Sequence, residues 1–329
     1  MNTSQKIIEY IVKHGQVRGS ELVDYLEITD RAVRKQLKNL LDNDMVIKTG
    51  KPPRVYYSIR PETNNITQKK EDQLKSIDNI SKDLIKDNFL YITPRGTMLG
   101  GLDGFFVWCD ERKLDPIKTI STYSKTLNKY QQYSKHGLID GTYRMQSTFD
   151  EVALDKVFYI DFYAIEIFGK TKLGQLLLFA KQSQNRELIN RLADIIKPSV
   201  QQVIREYEID GVGFIPPTVK RELQLIRQVQ KRLNLDTRTL MINKVKTPVA
   251  VPQKTLSKIE DRVINARETM VVESNDSYSN ILLIDDAVGS GATLNETAKK
   301  IRQRGICSGK IIGLAITGSF KGFEVISEV

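Results

Sequence analysis

The spacing of apolar residues predicts three helices and a hairpin at the start of the chain. Ile7, Ile8, Ile11 and Val12 fall at helical intervals over residues 5–14, and Gly15 stops that helix. A short helix follows over Glu21–Leu26 with Ser20 as its cap, then a third over Asp30–Leu41 capped by Thr29. The third helix has an apolar face of Val33, Leu37, Leu40 and Leu41 and a basic face of Arg31, Arg34, Lys35 and Lys38. Residues 45–49 and 54–59 then read as strands around a turn at Gly50-Lys51-Pro52-Pro53, a hairpin made basic by Lys48, Lys51 and Arg54. Polar residues 61–72 mark a boundary. Beyond it Leu74, Ile77, Ile80 and Leu84 recur at threes and fours. That stripe predicts an amphipathic helix that either pairs with its twin or docks on its own chain.

The pattern then changes. Phe89–Ile92 and Phe105–Cys109, with Gly96, Gly100, Gly101 and Gly104 between them, predict strands and glycine-rich turns, with Trp108 and Cys109 as core. Residues 151–168 alternate like a strand or hairpin. Helices are expected over 174–181 and 187–206, the second kinked or split at Pro198. Strands are expected at 212–215, 240–242, 268–273, 281–286 and 311–316, alternating with helical stretches. Such alternation implies a parallel sheet covered on both faces. The chain is therefore expected to be multidomain. Its parts are an α+β module over 1–60, a linker and helix over 61–88, a β-rich middle over 89–154, and an α/β domain over 155–329.

Charge narrows the choice of partner. A net charge of +10 favours an anionic one, either nucleic acid or a phosphorylated ligand. Cys109 and Cys307, far apart, exclude a disulfide scaffold and a Cys-rich zinc site, and point to a reducing cytoplasm. No long apolar span is present, so no membrane segment or signal peptide is expected. His14 and His136 have no partners at metal spacing, which argues against histidine chemistry.

The most informative stretch is 281–294. Ile281–Ile284 read as a strand buried on both faces, ended by Asp285 and Asp286; a small-residue loop, Ala287 to Ala292, leads to a helix starting at Thr293. Loop amides and a positive helix end hold phosphate, and carboxylates accept hydrogen bonds from sugar hydroxyls. A second loop, Thr218-Val219-Lys220-Arg221, also follows a strand, and ligands of such sheets sit outside the carboxyl ends of the strands.

Two resemblances follow from these residues. Three helices and a basic hairpin over the first sixty residues resemble a winged helix-turn-helix domain. The resemblance implies DNA contact by Arg31, Arg34, Lys35 and Lys38 in the major groove and by Lys48, Lys51 and Arg54 in the wing. A solvated basic face or a protein–protein module is the alternative. Residues 285–293, Asp-Asp-Ala-Val-Gly-Ser-Gly-Ala-Thr, resemble the phosphoribosyl-pyrophosphate (PRPP) motif of type I phosphoribosyltransferases. Residues 155–329 resemble the ComF-like branch through Gln175–Lys181, Ile215-Pro216-Pro217 with Lys220-Arg221, Gln253–Ser257, Asp261-Arg262 and Asn265. Gly289-Ser290 departs from the commoner Thr-Thr, and the Cys-rich N-terminus of many ComF proteins is absent.

This second resemblance implies a set of roles. Asp285 and Asp286 address the ribose hydroxyls, directly or through Mg²⁺. Ala287, Val288, Gly289, Ser290, Gly291, Ala292 and Thr293 surround the 5′-phosphate. Lys220, Arg221, Lys254 and Arg262 meet pyrophosphate, the last two from a mobile segment over 252–267 that is alternatively a solvated basic loop. The expected function is a homodimeric, PRPP-responsive, DNA-binding regulator. The alternatives are an active phosphoribosyltransferase localised to nucleic acid and a ComF-like role in DNA processing.

Overall fold

A computed structural model describes residues 2–43, 45–60, 77–217, 219, 221–245, 247–249 and 251–319. The chain divides into two compact units, Met1–Ser76 and Ile77–Val329.

In the first unit, α1 (Thr3–His14) opens on a reciprocal cap in which Asn2 Oδ1 accepts from the Gln5 amide and Gln5 Oε1 from the Asn2 amide. After β1 (Gln16–Val17), α2 spans Gly19–Leu26. Its cap is Arg18 rather than Ser20, because Glu21 accepts from the Arg18 amide and so ties down the first turn. Thr29 caps α3 (Asp30–Asp42) by accepting from the Ala32 amide. The hairpin of β2 (Val46–Lys51) and β3 (Arg54–Ile59) joins β1 in the order β1-β3-β2. Ile7, Ile11, Val17, Leu22, Val33, Leu37, Leu40 and Val46 form one core. Val12 lies outside it, largely exposed.

The second unit begins with α4 (Asn79–Asn88). Ile77 and Ile85 are buried, Leu84 half-buried and Ile80 exposed, and the helix packs on the two helices that follow in its own unit, Gly101–Glu111 and Pro116–Gln131. Leu74 lies outside the described residues. β4 (Leu90–Ile92) and β5 (Met98–Gly100) make the small hairpin that precedes α5 (Gly101–Glu111). The strand expected over Phe105–Cys109 is thus a helix. Phe105, Phe106, Trp108 and Cys109 are all buried, and a short run buried on every side carries no period that separates strand from helix. Asp115 caps α6 (Pro116–Gln131), with Pro116 in the first turn. Phe89, Phe105, Trp108, Tyr123 and Phe168 gather between these elements, mostly edge to face, with Phe105 and Trp108 stacked. Burial pushes the Cys109 thiol up to about 12 and leaves it inert.

The main sheet has seven strands, in the spatial order Arg238–Leu240, Gly211–Phe214, Ile281–Val288, Ile311–Gly318, Lys156–Phe162, Leu138–Asp140 and Ser134–Lys135. Its edge is β6 (Ser134–Lys135) and β7 (Leu138–Asp140), then α7 (Thr142–Thr148) leads to β8 (Lys156–Phe162). A hairpin of β9 (Ala164–Ile165) and β10 (Gly169–Lys170) precedes α8 (Lys172–Ser183). Next, α9 (Arg186–Glu206) runs unbroken through Pro198; Ile196, Val200 and Val203 on either side are fully buried and hold it together. Then come β11 (Gly211–Phe214), α10 (Leu225–Leu233) and β12 (Arg238–Leu240). The strand expected over 240–242 breaks at the exposed Met241, and β13 (Ile242–Lys244) leaves the sheet. It pairs antiparallel with β14 (Met270–Val272), the segment from one to the other containing α11 (Ile259–Thr269). Finally β15 (Ile281–Val288), α12 (Ala292–Gln303) and β16 (Ile311–Gly318) complete the unit.

β12, β11, β15, β16 and β8 are parallel, whereas β7 and β6 add antiparallel pairs, so the sheet is mixed rather than wholly parallel. Leu282 and Ile284 face a core shared with α8, α9 and α10. On the other face Leu283 is in register with Gly313, and Leu294 of α12 lies beside Gly313. The helices that follow β11 and β15 therefore lie on opposite faces. The crevice between these two strand ends is where open α/β sheets bind ligands. No helix among the described residues is long and apolar enough to cross a membrane.

Gly174 brings α8 tightly against β8's end: a Cβ there collides with the Tyr163 carbonyl oxygen. Gly174→Ala is expected to destabilise the second unit by about 1–3 kcal/mol. Urea melts should move the transition of residues 77–329 and leave that of the first unit unchanged.

Candidate ligand and nucleic-acid sites

In the first unit, Arg31, Arg34, Lys35 and Lys38 are exposed on α3, on the side opposite Val33, Leu37 and Leu40. Asp30 pairs with Arg34 at 2.7 Å, one turn apart. Lys48 and Lys51 on β2 and Arg54 on β3 are exposed as well. Arg18, which the pattern did not single out, donates to the Tyr56 hydroxyl of β3 at 2.7 Å and stacks over that ring. It adds a cation at the start of α2, and no local spacing announces it because its partner is 38 residues away.

In the second unit, Asp285 to Leu294, Lys181, Arg221, Lys244, Gln253 and Arg262 line one cavity of about 290 Å³. The strand carries further than its apolar run. Ala287 and Val288 still pair with Thr317 and Gly318, because β16 extends as a partner that far. The loop proper is Gly289–Gly291. Gly291, at φ 78°, turns the chain into α12 and supplies no side-chain cap. The first amides of α12 consequently have no side-chain partner from that residue, and they carry the positive end of a twelve-residue helix dipole. Ser290 is buried, its hydroxyl accepting a long hydrogen bond from the Ala292 amide at 3.4 Å. Thr293 lines the cavity.

The Arg262 side chain enters this corner from α11. Residue 262 is 5% exposed, and its Nε donates to the Leu256 carbonyl. Among the described residues Nη2 has no partner. A Cβ on Gly289 would lie 3.6 Å from Nη1, so the guanidinium sits against the loop. Burial lowers its affinity for the proton, and among the described residues no carboxylate offsets the cost. A buried guanidinium beside a helix N-terminus is an arrangement suited to an anion.

The acids line the same cavity. Asp285 Oδ1 accepts from the Asp286 amide at 2.7 Å. Its carboxyl is pushed up to about 7 by desolvation and by the neighbouring Asp286. Asp286 Oδ2 lies 2.6 Å from Lys181 Nζ of α8, and Asp286 holds that ammonium above the ordinary lysine range. Burial lowers Lys244 in the same cavity, opposed by Asp285. Burial pushes the Tyr163 phenol up to about 12, and its oxygen has no partner among the described residues. Arg221 donates to the Lys181 carbonyl at 2.8 Å and so ties its loop to the last turn of α8.

Lys220 lies outside the described residues. Lys254 belongs to a 3₁₀ turn, Gln253–Thr255, and its side chain is likewise outside them. The acid pair does not fit a divalent cation as it stands. Asp286 already holds an ammonium, and among the described residues no group of three His, Cys, Asp or Glu side chains gathers to hold a metal.

Residues 4–50 match the family described as the DeoR-like helix-turn-helix domain. The first unit is thus a helix-turn-helix domain, and DNA is the partner that this match supports. No curated protein matches the chain.

The unpaired guanidinium yields a test. Arg262→Met is expected to raise the melting temperature of the unliganded protein by about 2–4 °C, since a buried charge is replaced by an apolar chain of similar length. The same change should abolish stabilisation by added inorganic phosphate. A lower melting temperature with phosphate stabilisation intact shows a structural arginine instead.

Proposed function

We propose that the chain is a DNA-binding regulator whose second unit binds PRPP or a related phosphoribosyl ligand. The observation that carries the reading is the start of α12, where Gly291 supplies no side-chain cap, with the buried Arg262 guanidinium beside it, whose Nη2 has no partner among the described residues. In this reading the amides of Gly289 to Ala292 and the Ser290 and Thr293 hydroxyls hold the 5′-phosphate, with Arg262 as its counter-charge. Asp285 and Asp286 accept hydrogen bonds from the ribose hydroxyls. Arg221, with Lys220 and Lys254, meets the pyrophosphate. The helix-turn-helix binds DNA through α3 and the hairpin, as two copies on a two-fold site.

A second reading, phosphoribosyl transfer to a nitrogenous base, draws on Leu177, Leu178, Ile215, Pro216 and the Tyr163 ring. These line the cavity beside the acid pair and suit a flat apolar base. The transition state of such a transfer is electron-poor at the ribose, and positioned anions stabilise it.

Duplexes selected from a random pool by the protein should bind with an affinity that PRPP changes severalfold, a coupling of about 1–3 kcal/mol. Reciprocally, the DNA must change PRPP affinity by the same factor. Pyrophosphate release with nucleobases, lost in Asp286→Asn, would select the second reading; no PRPP binding at all removes both. Arg34→Ala combined with Lys38→Ala should weaken DNA binding and flatten its salt slope by about 2, the value for two lost phosphate contacts. An unchanged slope moves the DNA face off α3.

A further inference from the structure

The acid pair is already neutralised from within the chain. Lys181 Nζ stands 2.6 Å from Asp286 Oδ2, with the lysine side chain 41% and the aspartate side chain 16% exposed. The contact therefore faces the cavity rather than the core. Its geometry is set by distant packing. Thr171 caps α8 by accepting from the Gly174 amide, and Leu173, Leu176, Leu177 and Ala180 bury the helix against the sheet. Arg221 then fixes the end of α8 by donating to the Lys181 carbonyl at 2.8 Å. A divalent cation at Asp286 would have to displace one cation and settle beside another. It would also lack further acidic ligands, since among the described residues no third acid, His or Cys joins the pair. Mg²⁺ demands near-octahedral oxygen ligands and sheds water reluctantly, whereas an ammonium group supplies three donors on a flexible stem. One of those donors serves Asp286, and an ammonium has two more to offer to other oxygens.

We propose that Lys181 takes the cation position at Asp286, so that this cavity binds a phosphoribosyl group without a divalent cation held by the protein. The proposal rests on the phosphoribosyl reading given above. It makes the ribose-binding unit an Asp286–Lys181 pair, which accepts from one hydroxyl and donates to a neighbouring oxygen. It also makes Lys181 a specificity-determining residue, 105 positions away from the motif it completes.

Two measurements test it. The first uses Mn²⁺ alone, followed by loss of the free-ion electron paramagnetic resonance signal. Wild-type protein should show no saturable Mn²⁺ binding, and Lys181→Gln should acquire it. The second uses ribose 5-phosphate, which lacks the metal-chelating pyrophosphate, in calorimetric titrations with EDTA or with Mg²⁺. Wild-type affinity should be the same in both buffers. Lys181→Gln should lose roughly tenfold or more in EDTA, the scale of one charge-assisted contact, and recover when Mg²⁺ is added. Lys181→Arg, which keeps a cation, should stay metal-independent, and melting curves of both variants report whether they fold. Wild-type binding of ribose 5-phosphate that requires Mg²⁺, or Mn²⁺ binding equal in wild type and Lys181→Gln, overturns the proposal while leaving the phosphoribosyl reading in place. Failure of both ribose 5-phosphate and PRPP to bind wild-type protein in either buffer overturns that reading and this inference with it.

Discussion

The second unit is organised by the burial of β15 between β11 and β16. Both faces of the strand are covered, one by α8, α9 and α10 and the other by α12, so Ile281 to Ile284 have no freedom to be polar. Polar chemistry is confined to the strand's carboxyl end, where the helical layers part. Asp285 and Asp286 stand where burial gives way to the cavity, and each is answered by a lysine from another element. Because β11 and β15 send their helices to opposite faces, the loops that follow them spread and then meet again across the same opening. Thus the arrival of Arg221 at the cavity that holds the acid pair is a consequence of strand order, and the side chains only refine it.

The contrast between the two ends of this cavity is electrostatic. At the acid wall, negative groups are met by Lys181 and Lys244, and charge is nearly balanced within the protein. At the loop, the dipole of α12 and the Arg262 guanidinium are both positive, and among the described residues Nη2 is left without a partner. A ligand with an anionic end and a hydroxyl-bearing body matches that polarity from end to end.

How much of this was legible in the chain depended on whether partners were neighbours in sequence. The 281–294 stretch reads directly because strand, acids, turn and helix start are contiguous. The helices and hairpin of the first unit read directly for the same reason, down to the Thr29 cap. The helical nature of 101–111 did not, since a run such as Phe105-Phe106-Val107-Trp108-Cys109 is apolar in any conformation and only the packing of Gly104 against Leu99 reveals its turn. Met241 was invisible as a break because a single exposed residue between two strands leaves the apolar pattern intact. Arg262 was legible as a basic residue near the site but not as a buried one, and Lys181 not as the partner of Asp286. Both facts belong to tertiary geometry.

The detachment of β13 and β14 from the main sheet has a consequence for how this protein can vary. Arg262 and Gln253 lie within a segment anchored at its ends by a two-stranded ladder of its own, sharing no backbone ladder with β11, β12 or β15. Substitutions there can reshape the grip on the anion while the strands beneath keep their register. The acids enjoy no such latitude, since they are continuous with the buried backbone of β15. A lineage of such chains would therefore explore new ligands through the hairpin arm first, with the carboxylate end of the cavity as the inherited part.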